Sequence, residues 1–383
     1  MLEFLEIRKR TENMKGYKYT CTDKSILANY ILKYYWNYVI EFIPLWIAPN
    51  LLTLIGLLIM LATVIINLFY SIDLDGNVPT FIFLLNGISL FLYSTFDCID
   101  GKHARRTKSS SSLGQMFDHG VDSLVSSLTA ILIAQSTALG IGMNKFMFLF
   151  SFLIGFYTVT IDEYFTHSFY LGYINGPTEG IIFGSIAQII VFFTGPELFK
   201  SFKAYTICDY FSFIPYRLTN LEIVGIIFIS TTYISSTIST MMNKKKGSVF
   251  DVLLHSTTPL ILFLSTILYY FRFIETNYSS YIYIMIFINL MLNFSLMNIL
   301  IIFAHQTRSD VIYYTPMFYV FVCSSFLVHF LTYELSIIVL VFFTIISIFI
   351  YFSVVYEIID AVSKHLKIYC FTLEIRKQSK RKE

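Results

Sequence analysis

The seventeen residues from Thr80 to Phe96, TFIFLLNGISLFLYSTF, carry no charge, and apolar stretches of this kind recur along the chain. In hydrocarbon every backbone N–H and C=O must be satisfied within its own segment, so a run of ~20 such residues has one outlet, a membrane-spanning α-helix. The rule places spans near 51–70, 80–103, 115–138, 144–162, 178–196, 221–240, 252–273, 280–303, 311–332 and 335–360. A chain of 383 residues that is 56% hydrophobic and 14% charged excludes a soluble domain. The expected fold class is therefore an all-α integral membrane protein with about ten transmembrane helices.

Ahead of the first span, Leu27 to Asn50 mixes aromatics with Lys33 and Glu41 and is interrupted by Pro44 and Pro49. That pattern predicts an amphipathic helix in the headgroup layer, anchored by Trp36 and Trp46. Residues 197–220 are too polar for the bilayer core and predict a second surface segment. The organisation expected is a basic arm (1–26), the interfacial helix (27–49), a bundle of six spans (50–240), four further spans (241–363) and a basic tail (364–383).

With ten spans, 22 of the 27 Lys and Arg residues fall on the face that carries the termini. Cationic loops stay in the cytoplasm, so both termini are expected there. The five cysteines lack CxxC spacing, which argues against a disulfide framework or a zinc site. The first residues contain no apolar stretch with a cleavage site, so no secretory signal is expected.

Chemistry concentrates where the second span ends, in DCIDGKHARR from Asp97 to Arg106, and where the third begins, in SSSSLGQMFDHGVDS from Ser109 to Ser123. Asp97 and Asp100 share one helix face, as do Asp118 and Asp122. A short polar link makes the two helices antiparallel neighbours and brings the four carboxylates to one depth. Ser112 and Gln115 have capping-box spacing, which would start the third span at about Leu113. Four clustered carboxylates stay ionised only if cations balance them, and an all-oxygen set selects a hard ion such as Mg²⁺ or Mn²⁺, one or two of them. Gly101 and Ala104 leave room for a ligand, and Arg105 offers a planar fork to phosphate oxygens. The alternative is a row of salt bridges from these aspartates to Lys102, Arg105 and Arg106; the spacing on facing helices favours a site.

The run DCIDGKHARRTKSSSSLGQMFDHGVD resembles the CDP-alcohol phosphotransferase motif, D-x2-D-G-x2-A-R-x8-G-x3-D-x3-D. Asp97, Asp100, Gly101, Ala104, Arg105, Gly114, Asp118 and Asp122 fill its fixed positions. APNLLTLIGL from Ala48, FDHGVD, YLGYINGPTEG from Tyr170 and LKIYCF near the C terminus are similar to the eukaryotic choline and ethanolamine phosphotransferase branch. Two departures are His103, where that branch usually has Gln, and Ile161 to Tyr164, where it has a Trp-Glu-Glu-Tyr-type run. The resemblance implies a metal site made by Asp97, Asp100, Asp118 and Asp122, with nucleotide contacts from Asn50, Gly101, Lys102, Ala104, Arg105 and Gly114. It implies transfer of phosphoethanolamine or phosphocholine from CDP-ethanolamine or CDP-choline to diacylglycerol, releasing CMP and forming phosphatidylethanolamine or phosphatidylcholine. His119, Asp122 and Glu179 are the candidates for the base, and Glu163 with Tyr157 and Tyr164 for a cationic headgroup. A homodimer, and the endoplasmic reticulum or Golgi membrane with a cytoplasmic active site, are further implications; no nucleic-acid partner is expected. Three rivals are a family member using CDP-diacylglycerol as donor, a membrane prenyltransferase and an ion transporter. Ala104 stands where a prenyltransferase motif usually has a further acid, and transport would spread the acids through the bilayer.

Overall fold

The computed structural model describes residues 6–14, 17, 19–140, 142–197, 233–234, 236–273 and 279–373. The described residues are almost entirely helical, and eight helices among them are long and apolar enough to cross a membrane. All but the first residue of the expected surface segment 197–220, most of the expected span 221–240, and the end of the basic tail lie outside the described residues.

The spanning helices are α3 (Pro49–Tyr70), α4 (Phe81–Arg106), α5 (Ser112–Ser136), α6 (Met143–Thr166), α7 (Ile181–Thr194, entered through a π turn at Gly176–Gly180), α8 (Val249–Phe273), α9 (Ser279–Thr307) and α11 (Tyr333–Leu366). Two short helices precede them, α1 (Ile7–Thr11) and α2 (Lys33–Val39), and α10 (Pro316–Leu327) lies between α9 and α11 in sequence. The expected span 311–332 is thus a correction. Only Pro316–Phe330 of it is helical, since Thr315 caps the start through Phe318 N and the helix ends in a 3₁₀ turn at Val328–Phe330. At 1.5 Å per residue it is shorter than the hydrocarbon core.

Helix starts follow local chemistry. Pro49 occupies the first turn of α3, where its missing N–H costs nothing. The α5 cap is Ser111, whose Oγ accepts from Gly114 N at 3.1 Å, so the capping residue stands one position before the expected Ser112. Helix α9 forms the centre and packs on α5, α6 and α11, and it is buried on all sides, with Asn289, Asn293, Ser295 and Asn298 inside.

In a bilayer, helices gain most from close backbone approach and internal polar contacts. Asn67 Nδ2 donates to Asn86 Oδ1 at 2.6 Å, joining α3 to α4. Gln188 Nε2 donates to Leu132 O at 2.9 Å, joining α7 to α5. A Cβ at Gly87 would stand 2.9 Å from Ser185 O, so the α4–α7 approach requires glycine. Gly87→Leu is expected to destabilise the bundle by roughly 1–3 kcal/mol, read as a lower thermal midpoint in detergent; an unchanged midpoint contradicts this packing.

The interfacial segment is helical from Ala28 to Phe42, as a π turn, α2 and a 3₁₀ turn. Tyr30, Tyr34, Tyr38 and Phe42 form an exposed stripe, and Trp46 is 76% exposed. Trp36 differs from expectation: it is 7% exposed and packs with Leu52 and Ile99, because its side of the helix faces α3 and α4. Arg106 fixes this segment, donating to Ile40 O at 2.6 Å and Ile43 O at 3.0 Å.

Basic residues assigned by sequence to one face do meet at one end of the bundle. Arg8 pairs with Glu357 at 2.7 Å, Arg10 donates to Asp310 O at 2.8 Å, and Lys246 donates to Ser309 O at 3.1 Å. The Arg8 guanidinium is held above its ordinary range by the hydrogen bond to Glu357. Arg272, assigned to the other face, bonds Val328 O and Leu331 O at 2.9 Å each.

Candidate active site

The last turns of α4 and the first turns of α5 bring the acids together. Single oxygens of Asp97, Asp118 and Asp122 lie within 4.8 Å of one another. Asp100, one turn beyond Asp97, is buried beside them and accepts from Thr53 Oγ1 at 2.6 Å. The buried Tyr93 hydroxyl donates to Asp122 Oδ1. Asp118 Oδ1 is buried without a hydrogen-bond partner. An orphaned buried acceptor beside two more carboxylates costs free energy unless a cation completes it, and an all-oxygen donor set suits a hard divalent ion.

The salt-bridge alternative fails on geometry. Lys102 Nζ donates to Asn37 Oδ1 at 2.9 Å and Arg106 holds the interfacial segment. Among the described residues no ion pair joins these bases to the four aspartates.

Asp100 and Asp118 stand at the wall of a cavity of about 610 Å³, within the size range of small-molecule sites, while Asp97 and Asp122 do not line it. Asp100, Gly101, Ala104, Arg105, Gly114, Asp118, His119 and Asn50 all line it, so most of the residues singled out by sequence converge here. A Cβ at Gly101 would find only the Arg105 guanidinium, at 3.6 Å, so the wall is open at this point. Gly114 faces Asn50 Oδ1 and Ser111 Oγ, each 3.5 Å from where a Cβ would sit. Asn50 donates from Nδ2 to Cys370 O at 2.9 Å, and its Oδ1 faces Gly114. Lys102 does not line the cavity.

His119 is 6% exposed and its ring lies 5.0 Å from Phe169 and 5.9 Å from Tyr19. Glu179 stands elsewhere. It is 2% exposed and accepts from Ser25 Oγ at 2.6 Å, Leu27 N at 3.1 Å and Asn175 N at 3.2 Å. Its carboxylate therefore clamps the N-terminal arm to the start of α7. The clamp seats a two-stranded parallel sheet, β1 (Cys21–Asp23) on β2 (Phe169–Leu171), and the arm continues into the cavity wall as Tyr17 and Tyr19. Glu179→Gln should loosen the arm, since a charge-assisted bond contributes about 1.5–3 kcal/mol. Trypsin should then nick after Lys24 faster than in the parent chain; equal nicking rates would count against the clamp.

Sequence reasoning gave no site role to Thr53, Tyr93, the arm tyrosines or the segment Ile368–Leu373, which begins within the LKIYCF run noted above and folds back over the cavity with Phe371 edge-on to Phe117 at 5.4 Å. Two of these carried a signal. Thr53 follows Asn50 by three residues, and Tyr93 precedes Asp97 by four, each on the same helix face. His103, the departure noted above, is fully buried and donates from Nε2 to Ile47 O at 2.9 Å, a contact with the loop before α3.

Fold and site together define a polytopic helical membrane protein with a carboxylate cluster at one end of its bundle. Residues 46–194 match the family model for CDP-alcohol phosphatidyltransferase. Cholinephosphotransferase 1 of Saccharomyces cerevisiae is 40% identical over 185 residues, 48% of this chain and 47% of that protein. Choline/ethanolaminephosphotransferase 1 of Arabidopsis thaliana is 38% identical over 200 residues, 52% and 51% of the two chains. CDP-diacylglycerol–serine O-phosphatidyltransferase of Encephalitozoon cuniculi is 39% identical over 188 residues, 49% of each. The matched part of the chain thus spans about half the length of these relatives.

Proposed function

We propose that the protein transfers phosphoethanolamine or phosphocholine from the CDP-alcohol to diacylglycerol, releasing CMP. The observation that carries this reading is the meeting of single oxygens of Asp97, Asp118 and Asp122 within 4.8 Å of one another, with Asp118 and Asp100 lining an open cavity. Relatives named for the same reaction support it. A divalent ion bound by these carboxylates, Mg²⁺ or Mn²⁺, would polarise the diphosphate and neutralise charge on the departing CMP.

The chain's own residues supply the rest. Arg105, exposed at the cavity wall, pairs with phosphate oxygens. The flat wall at Gly101 and Ala104, with Asn50 and Gly114, receives the cytidine. Thr53 and Tyr93 fix the orientation of Asp100 and Asp122. The diacylglycerol hydroxyl attacks the β-phosphorus, the new P–O bond replaces the diphosphate bond, and a base accepts the hydroxyl proton. His119 fits that role best, since Glu179 is committed to the arm and Asp122 accepts from Tyr93. The soluble donor and lipid acceptor meet at the end of the bundle where the basic residues gather, which we assign to the cytoplasmic side.

CMP release from CDP-ethanolamine by the purified chain tests this. Release should require both diacylglycerol and Mg²⁺; release without acceptor, or none at all, overturns it. The name of the Encephalitozoon cuniculi relative favours one other reading, CDP-diacylglycerol as donor and serine as acceptor. A parallel arm with those two substrates separates the readings.

A further inference from the structure

The chemistry above leaves Glu163 and His103, both buried, without a use. Glu163 faces His305 Nδ1 at 3.6 Å, and the expected grouping with Tyr157 and Tyr164 does not form around it: Tyr157 donates to His255 O at 3.0 Å and Tyr164 to Ser309 O at 3.2 Å. His103 stands inside the motif itself, between Gly101 and Ala104, which line the cavity.

The last turns of α4 divide their contacts between two sides. Gly101, Ala104 and Arg105 line the cavity. Lys102, His103 and Arg106 hold the interfacial segment instead: Lys102 Nζ donates to Asn37 Oδ1 at 2.9 Å, His103 Nε2 to Ile47 O at 2.9 Å, and Arg106 to Ile40 O and Ile43 O. The His103 contact falls on the residue just ahead of Ala48, Pro49 and Asn50, and those three line the cavity. Within the linker Ile47 N donates to Pro44 O at 3.1 Å, a turn internal to it. Among the described residues, the hydrogen bonds tying that linker to α4 come from Arg106 at its start and His103 near its end. Asn50 in turn donates to Cys370 O at 2.9 Å, so the tail segment over the cavity is registered on the same linker. Thr53, which orients Asp100, is 0% exposed within the packing of α3 on α4, so the aspartates are held independently of the linker.

The imidazole makes its one bond at a cost. His103 is 0% exposed, and its Nδ1 is buried without a hydrogen-bond partner. An apolar side chain of similar volume would fill the space with no orphaned acceptor, so packing alone does not account for a histidine here. What the ring adds is a donor aimed at Ile47 O, in the tautomer that carries the proton on Nε2.

We infer that His103 is a positioning residue for the nucleotide wall: its bond to Ile47 O fixes the linker so that Ala48, Pro49 and Asn50 stand where the cytidine half of the donor docks. This rests on the transfer reading and deepens it. His103 itself touches neither the donor nor the aspartates' ion.

The test uses the full-length chain with CDP-ethanolamine, diacylglycerol and Mg²⁺. His103→Leu fills the space and lacks the donor. It should raise KM for CDP-ethanolamine and the inhibition constant for CMP about 10-fold each, leaving kcat within about twofold and KM for diacylglycerol unchanged. His103→Gln returns an N–H donor of similar reach and should bring both constants back to within about threefold of the parent. Equal constants in His103→Leu and His103→Gln, or a loss in kcat with KM unmoved, overturn the role and leave His103 as packing. Should His103→Leu fail to fold, the parent chain decides: CMP should slow backbone amide exchange across residues 45–52, and equal exchange with and without CMP overturns the inference. No CMP release by the parent overturns the transfer reading and the inference with it, whereas an active parent with unmoved variants overturns the inference alone.

Discussion

Asp118→Asn lowers CMP release at least ~10³-fold, the size expected when the charge arrangement around a transferring phosphoryl group is broken. Its Oδ1 is the buried acceptor without a partner, and it stands within 4.8 Å of oxygens from Asp97 and Asp122. Asparagine keeps the shape and removes the charge. In ion-free buffer the variant should therefore be at least as resistant to heat as the parent, since one of the mutually repelling carboxylates is gone. A variant that is inactive but also unfolded would not support a role in chemistry. An active variant would sink the role outright.

Chelation produces the second large effect. An ion that binds the folded site and not the unfolded chain stabilises by about 2.7 kcal/mol at one hundred times its dissociation constant. Mg²⁺ should thus raise the thermal midpoint of the parent chain, EDTA should reverse the rise and abolish CMP release, and Asp118→Asn should respond weakly to either. The sign follows from the like charges gathered by α4 and α5, because only the folded chain holds them together. An identical midpoint with and without Mg²⁺ would mean that the carboxylates do not share an ion.

What sequence could reveal here follows from the range of the interactions. The spans were legible because backbone satisfaction in lipid is a local rule, and α3, α4, α5, α8, α9 and α11 lie within a few residues of expectation. The aspartates were legible because helical spacing and a short connection place them on facing surfaces. Trp36 was misplaced because an aromatic in an amphipathic segment suits a lipid surface and a protein groove equally, and only the packing on Leu52 and Ile99 decides. The arm was invisible for another reason. Pairing of Cys21 with Phe169 and of Ser25 with Glu179 spans about one hundred and fifty residues, and no periodicity encodes a contact of that range. Hence Glu179, which sequence set among candidates for the base, is found holding the strand that carries Tyr17 and Tyr19 toward the cavity.

Binding of Mn²⁺ to the purified chain, counted from the loss of the free-ion electron paramagnetic resonance signal, tests the central claim most directly. The carboxylate cluster predicts at least one tightly bound Mn²⁺ per chain, displaced by Mg²⁺ and lost in Asp97→Asn and Asp118→Asn. Equal uptake by the parent chain and both variants would contradict it.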